Sequence, residues 1–331
     1  MRLSQTEKLG NESCALGRRT TVAEDDGGYA AIFEGAAAFG WQRDVVRVAG
    51  PEAERYLQGQ LSQDMAVLGE LGWAWSLVLR PEGRLVALVR VRKRGPEEFL
   101  LDTDAGVGPA LVERLLMFKL RTRADVEALP LPVVSVRGRD AGTGPPGAGE
   151  ATVTVPFHWD GLAGYDLFGP AGGPAPELPA GTVSATPEAY EAARIEAGFP
   201  RHGAELDERT IPAEAGLVSV AVSFTKGCYT GQELVARIDA RGSNVPRRLY
   251  GLSLSGPAQP GAALYEVPGA DKALGSLTSA ARSPRSGWVG LGYVKRGIAP
   301  GRTVYVEAGA GVEECQVREL PIYAPPAPPG R

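Results

Sequence analysis

Ser223–Arg237 reads SFTKGCYTGQELVAR and holds one of only three cysteines in 331 residues. Cys228 follows Gly227 and lies two residues after Lys226; Gly231 stands three residues further on. In an extended segment, residues 226 and 228 project to the same side. A neighbouring cation favours thiolate over thiol. Flanking glycines allow backbone angles closed to other residues and close approach of a ligand. The stretch therefore reads as a loop that displays a reactive thiol. The plain alternative is a small buried residue, the commonest state of a free cysteine.

The rest of the chain limits what such a thiol can do. Cys14 and Cys315 are distant in sequence, and dithiol redox chemistry wants a partner two residues away. Three scattered cysteines make no disulfide framework. With only His158 and His202 to join them, no metal-ligand spacing exists, so no metal site is expected. The expected setting is the reduced cytoplasm. A cysteine hydrolase with His158 or His202 as base stays open, because the sequence spacing of such pairs is not fixed.

At 331 residues the chain exceeds the roughly 250–300 at which single cores stop growing. Hydrophobic content of 44% and charged content of 22% are those of a globular protein. The net charge of −4, with no long block of one sign, argues against a direct grip on nucleic-acid phosphate. The N-terminal MRLSQTEKLGNESCALG lacks the apolar core of a leader, and no run of 18 apolar residues predicts a membrane span.

Punctuation by proline and glycine divides the chain. Residues 1–27 read as a flexible arm and 324–331 as a proline-rich tail. From 28 to 140 the pattern is strand (DVVRVAG), helix (GPEAERYLQGQ), hairpin (WAWSLVLRPEGRLVALVRVRK), strand (EFLLDT), helix (GPALVERLLMFKLR). In the first helix Pro51 suits the opening position and Gly59 a stop, with Tyr56 and Leu57 facing inward. A second α+β unit covers 141–246. Its helix, SATPEAYEAARIEAGFP, has Thr186 as cap, Pro187 at the first position and Gly198 as its end. Short strands at turn spacing over 247–323 predict a small β-barrel or sandwich. The fold class is α+β, in three domains.

Three further features bear on chemistry. Glu196 lies in the last turn of its helix, against the negative end of the dipole. It either pairs with Arg194 or Arg201, or is aimed into a pocket as an acceptor for adjacent N–H donors. Glu214, in TIPAEAGL, reads as a solvated turn carboxylate. Arg237, Arg241, Arg247 and Arg248 cluster downstream of the cysteine.

At KGCYTGQE, Lys226–Glu233, the sequence resembles the YgfZ family of folate-binding proteins, relatives of the glycine-cleavage aminomethyltransferase, or T-protein. RVAGPEAERYLQGQLSQDM, RPEGRLVALVRV, ARIEAGFPRHGAELDERTIPAEAGL and GSLTSAARSPRSGWVGLGYVK extend the likeness over about residues 30–320. The resemblance implies a three-domain, ring-like aminomethyltransferase architecture with a C-terminal β-barrel and tetrahydrofolate between the domains. It implies a role in maturing or repairing iron–sulfur proteins, including tRNA-modifying enzymes, which are then the expected partners. It makes Cys228 the functional thiol, with Lys226 beside it. Glu196 matches the pterin-holding position, and Gly227, Tyr229, Gly231, Gln232 and Arg237 become candidate folate contacts. One feature departs. T-protein carries an aspartate near the end of its hairpin motif, but Gly83–Leu88 here reads GRLVAL, with no carboxylate, and Asp102 and Asp104 do not match that place. Aminomethyl or methyl transfer from tetrahydrofolate is therefore the alternative rather than the leading expectation, and turnover is left open.

Overall fold

The structure is a computed structural model that describes residues 26–69, 72–142, 144, 152–309 and 311–323. The arm read over 1–27 lies outside these residues except for its last two, and the tail read over 324–331 lies wholly outside.

In chain order the elements are α1 (Tyr29–Glu34), β1 (Ala37–Phe39), β2 (Arg43–Ala49), α2 (Ala53–Gln60), β3 (Trp73–Leu79), β4 (Leu85–Gly95), β5 (Glu98–Asp104), α3 (Gly108–Met117), β6 (Asp125–Leu129) and β7 (Val133–Arg137). Then come β8 (Val153–Trp159), β9 (Leu162–Phe168), β10 (Val183–Ser184), α4 (Pro187–Ala197), α5 (Val218–Ala221) and α6 (Gln232–Asp239). The chain closes with β11 (Arg247–Leu254), β12 (Ala263–Tyr265), β13 (Gly275–Ser283), β14 (Gly287–Lys295), β15 (Thr303–Ala308) and β16 (Gly311–Arg318).

Three β-units result. One sheet runs β3-β4-β5-β2-β6, a second runs β10-β1-β7-β9-β8, and six strands close into a barrel in the order β11-β14-β13-β12-β15-β16. Two strands from the stretch 28–140, β1 and β7, pair in the second sheet, so the sheets do not part the chain at residue 140. Among the described residues no helix is long and apolar enough to cross a membrane.

The central strands of the first sheet are covered on both faces, so β3 (WAWSLVL) and the first half of β4 are long buried runs, while the edge strand β6 (DVEAL) is largely exposed. Ala87, Val89 and Val91 of β4 pack with Leu57 of α2 and Leu111 and Leu115 of α3. The alternate residues Leu88 and Arg90 point the other way, Leu88 into the core shared with the rest of the molecule. Between the two sheets the contact is partly ionic. Arg43 pairs with Asp102 at 2.7 Å and Asp104 at 2.8 Å, Arg90 with Asp102 at 3.0 Å and Asp166 at 2.6 Å, and Arg137 with Asp166 at 3.0 Å. Five of these six side chains are at most 5% exposed, and the Arg137 guanidinium lies 3.7 Å from the Phe157 ring centre. Each buried charge thus has its counter-charge, the condition under which folds tolerate burying one.

α4 joins the sheets to the barrel. Thr186 Oγ1 accepts from the Ala189 N–H, Pro187 opens the helix, and Gly198 ends it with φ +70°. Those are the boundaries expected from the sequence. α2 differs: Pro51 precedes its cap residue Glu52, and Gly59 lies inside the last turn rather than ending it. What ends α2 is a tertiary contact, described next.

Candidate functional site

The motif loop joins α5 to α6, and most of it is built to dock. The Lys226 ammonium donates to the main-chain oxygens of Gln58 (2.7 Å), Leu61 (2.7 Å) and Gln63 (2.8 Å). A helix C-terminus leaves carbonyls without partners and carries partial negative charge, so a lysine from another segment caps α2. Burial pushes the Lys226 pKa down to about 8. An ammonium has three donors, and all three are taken here. The expected pairing with the thiol is thus replaced by an anchor on α2.

The neighbouring residues continue the docking. The Thr230 N–H donates to Gly59 O at 3.0 Å, and the Tyr229 N–H donates to Gln232 Oε1 at 3.2 Å. Tyr229 is buried in the main core. Gly231 has φ +83°, and a Cβ there would come within 2.5 Å of the Arg80 carbonyl in the β3–β4 turn. Gly83 of that turn meets Leu234 of α6 in the same way. Close approach of the two backbones requires both glycines. A Cβ on Gly227 would meet nothing within 4 Å. Arg237 is held by Glu233 one turn back on α6. What the loop leaves in solvent is Cys228, which is exposed and has no hydrogen-bond partner among the described residues.

Glu196 is fully buried, yet it pairs with neither Arg194 nor Arg201. Arg194 turns to Glu191 (2.6 Å) and Glu205 (3.0 Å) instead. The Glu196 carboxylate accepts from the Tyr29 hydroxyl and, at 2.7 Å, from the Ser283 hydroxyl. Burial and this carboxylate push the Tyr29 phenol well above its ordinary range. The Glu196 main-chain oxygen accepts from the Ile322 (2.7 Å) and Tyr323 (3.3 Å) N–H groups. One residue thus ties α1, α4, the barrel and the segment after β16 together.

Beside it a cleft opens. About 390 Å³ lies between the end of α4 (Ala197, Gly198), the 213–220 turn, Arg248–Tyr250 of β11 and Glu319–Pro321 after β16. Trp159 and Asp160 form its other wall and belong also to a cavity of about 320 Å³ that reaches Trp73 and Trp75. The lining comes from both sheets and the barrel, and the Trp75 and Trp159 rings stand 5.7 Å apart. An aromatic cleft with a few placed polar groups suits a flat organic ligand. Its polar groups include Glu214, which is buried rather than solvated: its side chain is 4% exposed and accepts from Arg247 Nε at 3.0 Å. Neither Glu196 nor any residue of the motif loop lines this cleft.

The histidines stand apart. His158 is exposed on β8, and the His202 N–H donates to Asp104 Oδ2 at 2.8 Å. Neither imidazole hydrogen-bonds Cys228. Asp102 and Asp104 are committed to Arg43, and Asp102 also to Arg90. Sequence reasoning missed Tyr29, Ser283 and Trp159. It had a signal for Glu214, the apolar flanks of IPAEAGL, but not the fold that buries them.

Two sheets, a closing barrel and a cleft at their junction define an aminomethyltransferase-like architecture. Residues 247–324, the barrel, match the glycine cleavage T-protein C-terminal barrel domain. The fold is similar to that of the glycine cleavage system aminomethyltransferase T from Bartonella henselae, with a TM-score of 0.76 and 21% identity over 89% of this chain and 88% of that one. In sequence, the chain is 30% identical to the tRNA-modifying protein YgfZ of Photorhabdus laumondii, over 63% of this chain and 68% of that protein. It is also 30% identical to the mitochondrial iron–sulfur cluster assembly factor IBA57 of Mus musculus, over 65% of each. The matches thus span about two thirds of the length of these relatives. The chain belongs to the YgfZ family, in its wider grouping with IBA57 and the aminomethyltransferases.

Proposed function

We propose that this protein is a tetrahydrofolate-binding accessory protein for the assembly or repair of iron–sulfur proteins, tRNA-modifying enzymes among them. The observation that carries the reading is the cleft between the second sheet, the end of α4 and the barrel, which shares Trp159, Asp160 and Val220 with a cavity reaching Trp73 and Trp75 of the first sheet, in a chain whose relatives are named for iron–sulfur cluster assembly and tRNA modification. Folate would lie in the cleft next to the end of α4, the helix that carries Glu196. Trp159 and Tyr250 offer faces for stacking, and Arg248 offers a cation to the glutamyl tail.

Cys228 acts at a separate place. Lys226, Tyr229, Gly231 and Gln232 hold the loop to α2 and α6, and the thiol projects into solvent, within reach of a partner protein or its cluster. The reduced cytoplasm is the setting this reading needs. Aminomethyl transfer is the weaker reading, because the hairpin lacks the carboxylate that T-protein carries and the acids on β5 are bound by arginine.

Calorimetric titration of tetrahydrofolate into the purified protein tests the folate half, and no heat of binding at high micromolar ligand rejects it. Complementation of a deletion strain with wild type and Cys228→Ala tests the other half, read as iron–sulfur enzyme activity and thiolated tRNA. Full rescue by the variant removes the thiol from the mechanism.

A further inference from the structure

Among the described residues, four of the five buried acids face an arginine. Asp102 and Asp166 do so in the ionic layer, Glu205 with Arg194 at 3.0 Å, and Glu214 with Arg247 at 3.0 Å. Glu196 is the exception. It is fully buried, pairs with no cation and stands in the last turn of α4, at the negative end of that helix. Two neutral hydroxyls hold its carboxylate, Tyr29 on one oxygen and Ser283, at 2.7 Å, on the other. Folds seldom keep a buried carboxylate without a counter-charge. This one also sits one residue from the cleft, since Ala197 and Gly198 line it and Glu196 does not.

The two hydroxyls are themselves fixed. Ser283 Oγ accepts from the Arg285 N–H at 3.1 Å and the Ser286 N–H at 3.0 Å, which leaves its proton for Glu196. Tyr29 reaches in from α1, which Ile32 and Phe33 pack into the main core. Arg285 closes over this corner: it pairs with Glu34 at 3.2 Å and lies 5.3 Å from the Phe33 ring centre and 3.9 Å from that of Tyr323. The strap is seated as firmly, because a Cβ on Gly198 would come within 2.9 Å of Leu320 and one on Gly251 within 2.4 Å of Ile322. With its surroundings fixed, the part free to change partners is the Glu196 side chain.

A carboxylate accepts two neighbouring N–H donors, such as a ring N–H beside an exocyclic amine, at least as well as two hydroxyls. A flat ligand with such an edge, seated in the cleft at the end of α4, competes with Tyr29 and Ser283 for the same oxygens. Resting on the folate reading above, we infer that Tyr29 and Ser283 form a latch that holds the Glu196 carboxylate out of the cleft, and that tetrahydrofolate binds by drawing it off them. The latch lowers affinity by the fraction of molecules in which it is closed, and it keeps the buried charge bonded until a ligand arrives.

The test titrates tetrahydrofolate into wild type, Tyr29→Phe, Glu196→Gln and the double variant, with melting temperature as the report on folding. Tyr29→Phe removes a hydrogen bond that only the latched form makes, so it should melt lower than wild type and yet bind about tenfold more tightly. Glu196→Gln should bind at least about tenfold more weakly, and adding Tyr29→Phe to it should change nothing further. Should Tyr29→Phe not fold, Ser283→Ala takes its place, with the same tightening expected. A lower melting temperature with unchanged or weaker binding means that Tyr29 only braces α4, and it overturns the latch. Undiminished binding by Glu196→Gln, or tightening that persists in the double variant, overturns it as well. If wild type binds no tetrahydrofolate, the folate reading falls and the latch with it; if wild type binds and Tyr29→Phe binds no better, only the latch falls.

Discussion

Lys226 and Cys228 are two residues apart and do opposite work. The lysine is buried in carbonyls and the cysteine stands in solvent. Lys226→Met keeps the apolar stem but strips a donor from three main-chain oxygens at the end of α2. The expected loss is about 1–3 kcal/mol of stability in urea melts, with faster hydrogen exchange over the motif loop. Cys228→Ala removes an exposed side chain, so stability should stay within about 0.5 kcal/mol of wild type while complementation fails. A stability loss in Cys228→Ala comparable to that in Lys226→Met would mean that the thiol is structural. The motif itself was legible in the sequence, Gly231 included, but the target of the lysine was not, and nothing around Gly227 demands a glycine. The α2 carbonyls lie more than 160 positions away in the chain, and nothing local predicts them.

At the scale of elements, the strongest coupling is the ionic layer between the two sheets. Asp166 on β9 stands between Arg137 on β7 and Arg90 on β4. Burial alone would raise its pKa, but Arg137 and Arg90 outweigh burial and hold it well below the ordinary 3.8. The folded pKa therefore lies under the unfolded one. The stabilisation is complete above about pH 4 and drains away as pH falls toward the folded value. Asp166→Asn leaves two buried guanidinium groups short of a counter-charge and should cost about 3–5 kcal/mol near neutral pH. It should also flatten the acid limb: the gap in urea midpoint between wild type and variant narrows from about pH 6 to about pH 3. A gap that stays constant would mean that Asp166 is not held in its charged form by the arginines. Element boundaries were readable where the signals are local, as with Thr186, Pro187 and Gly198 around α4. They failed where the terminator comes from elsewhere, as at α2. β16 is the hardest strand to read, since GVEECQVR shows only Cys315 and Val317 buried among exposed and charged neighbours.

At the scale of the molecule, the segment after β16 decides whether the units share a cleft. Leu320 and Pro321 line it, and the Ile322 and Tyr323 N–H groups donate to the Glu196 carbonyl. Ile322 also packs on Gly251, and Tyr323 meets Phe33 of α1 edge-on at 5.3 Å. Truncation after Arg318 keeps all six barrel strands but removes this strap. The expected result is a lower melting temperature and at least about tenfold weaker tetrahydrofolate binding, the scale of losing one well-buried apolar contact. Unchanged affinity in the truncated chain would place the ligand elsewhere. By itself the sequence determined the α+β class, a C-terminal unit of short strands and the limits of α4, because capping residues, glycine turns and apolar periodicity act over a few positions; that those strands close into a barrel and that Cys228 is exposed belong to the assembled fold. Only the tertiary structure decided that Lys226 caps α2, that Glu196 is enclosed by Tyr29 and Ser283, and that Glu214 is buried on a cleft wall beside Arg247. Those outcomes depend on contacts between segments distant in the chain, and burial, which sets their chemistry, is a property of the assembled fold.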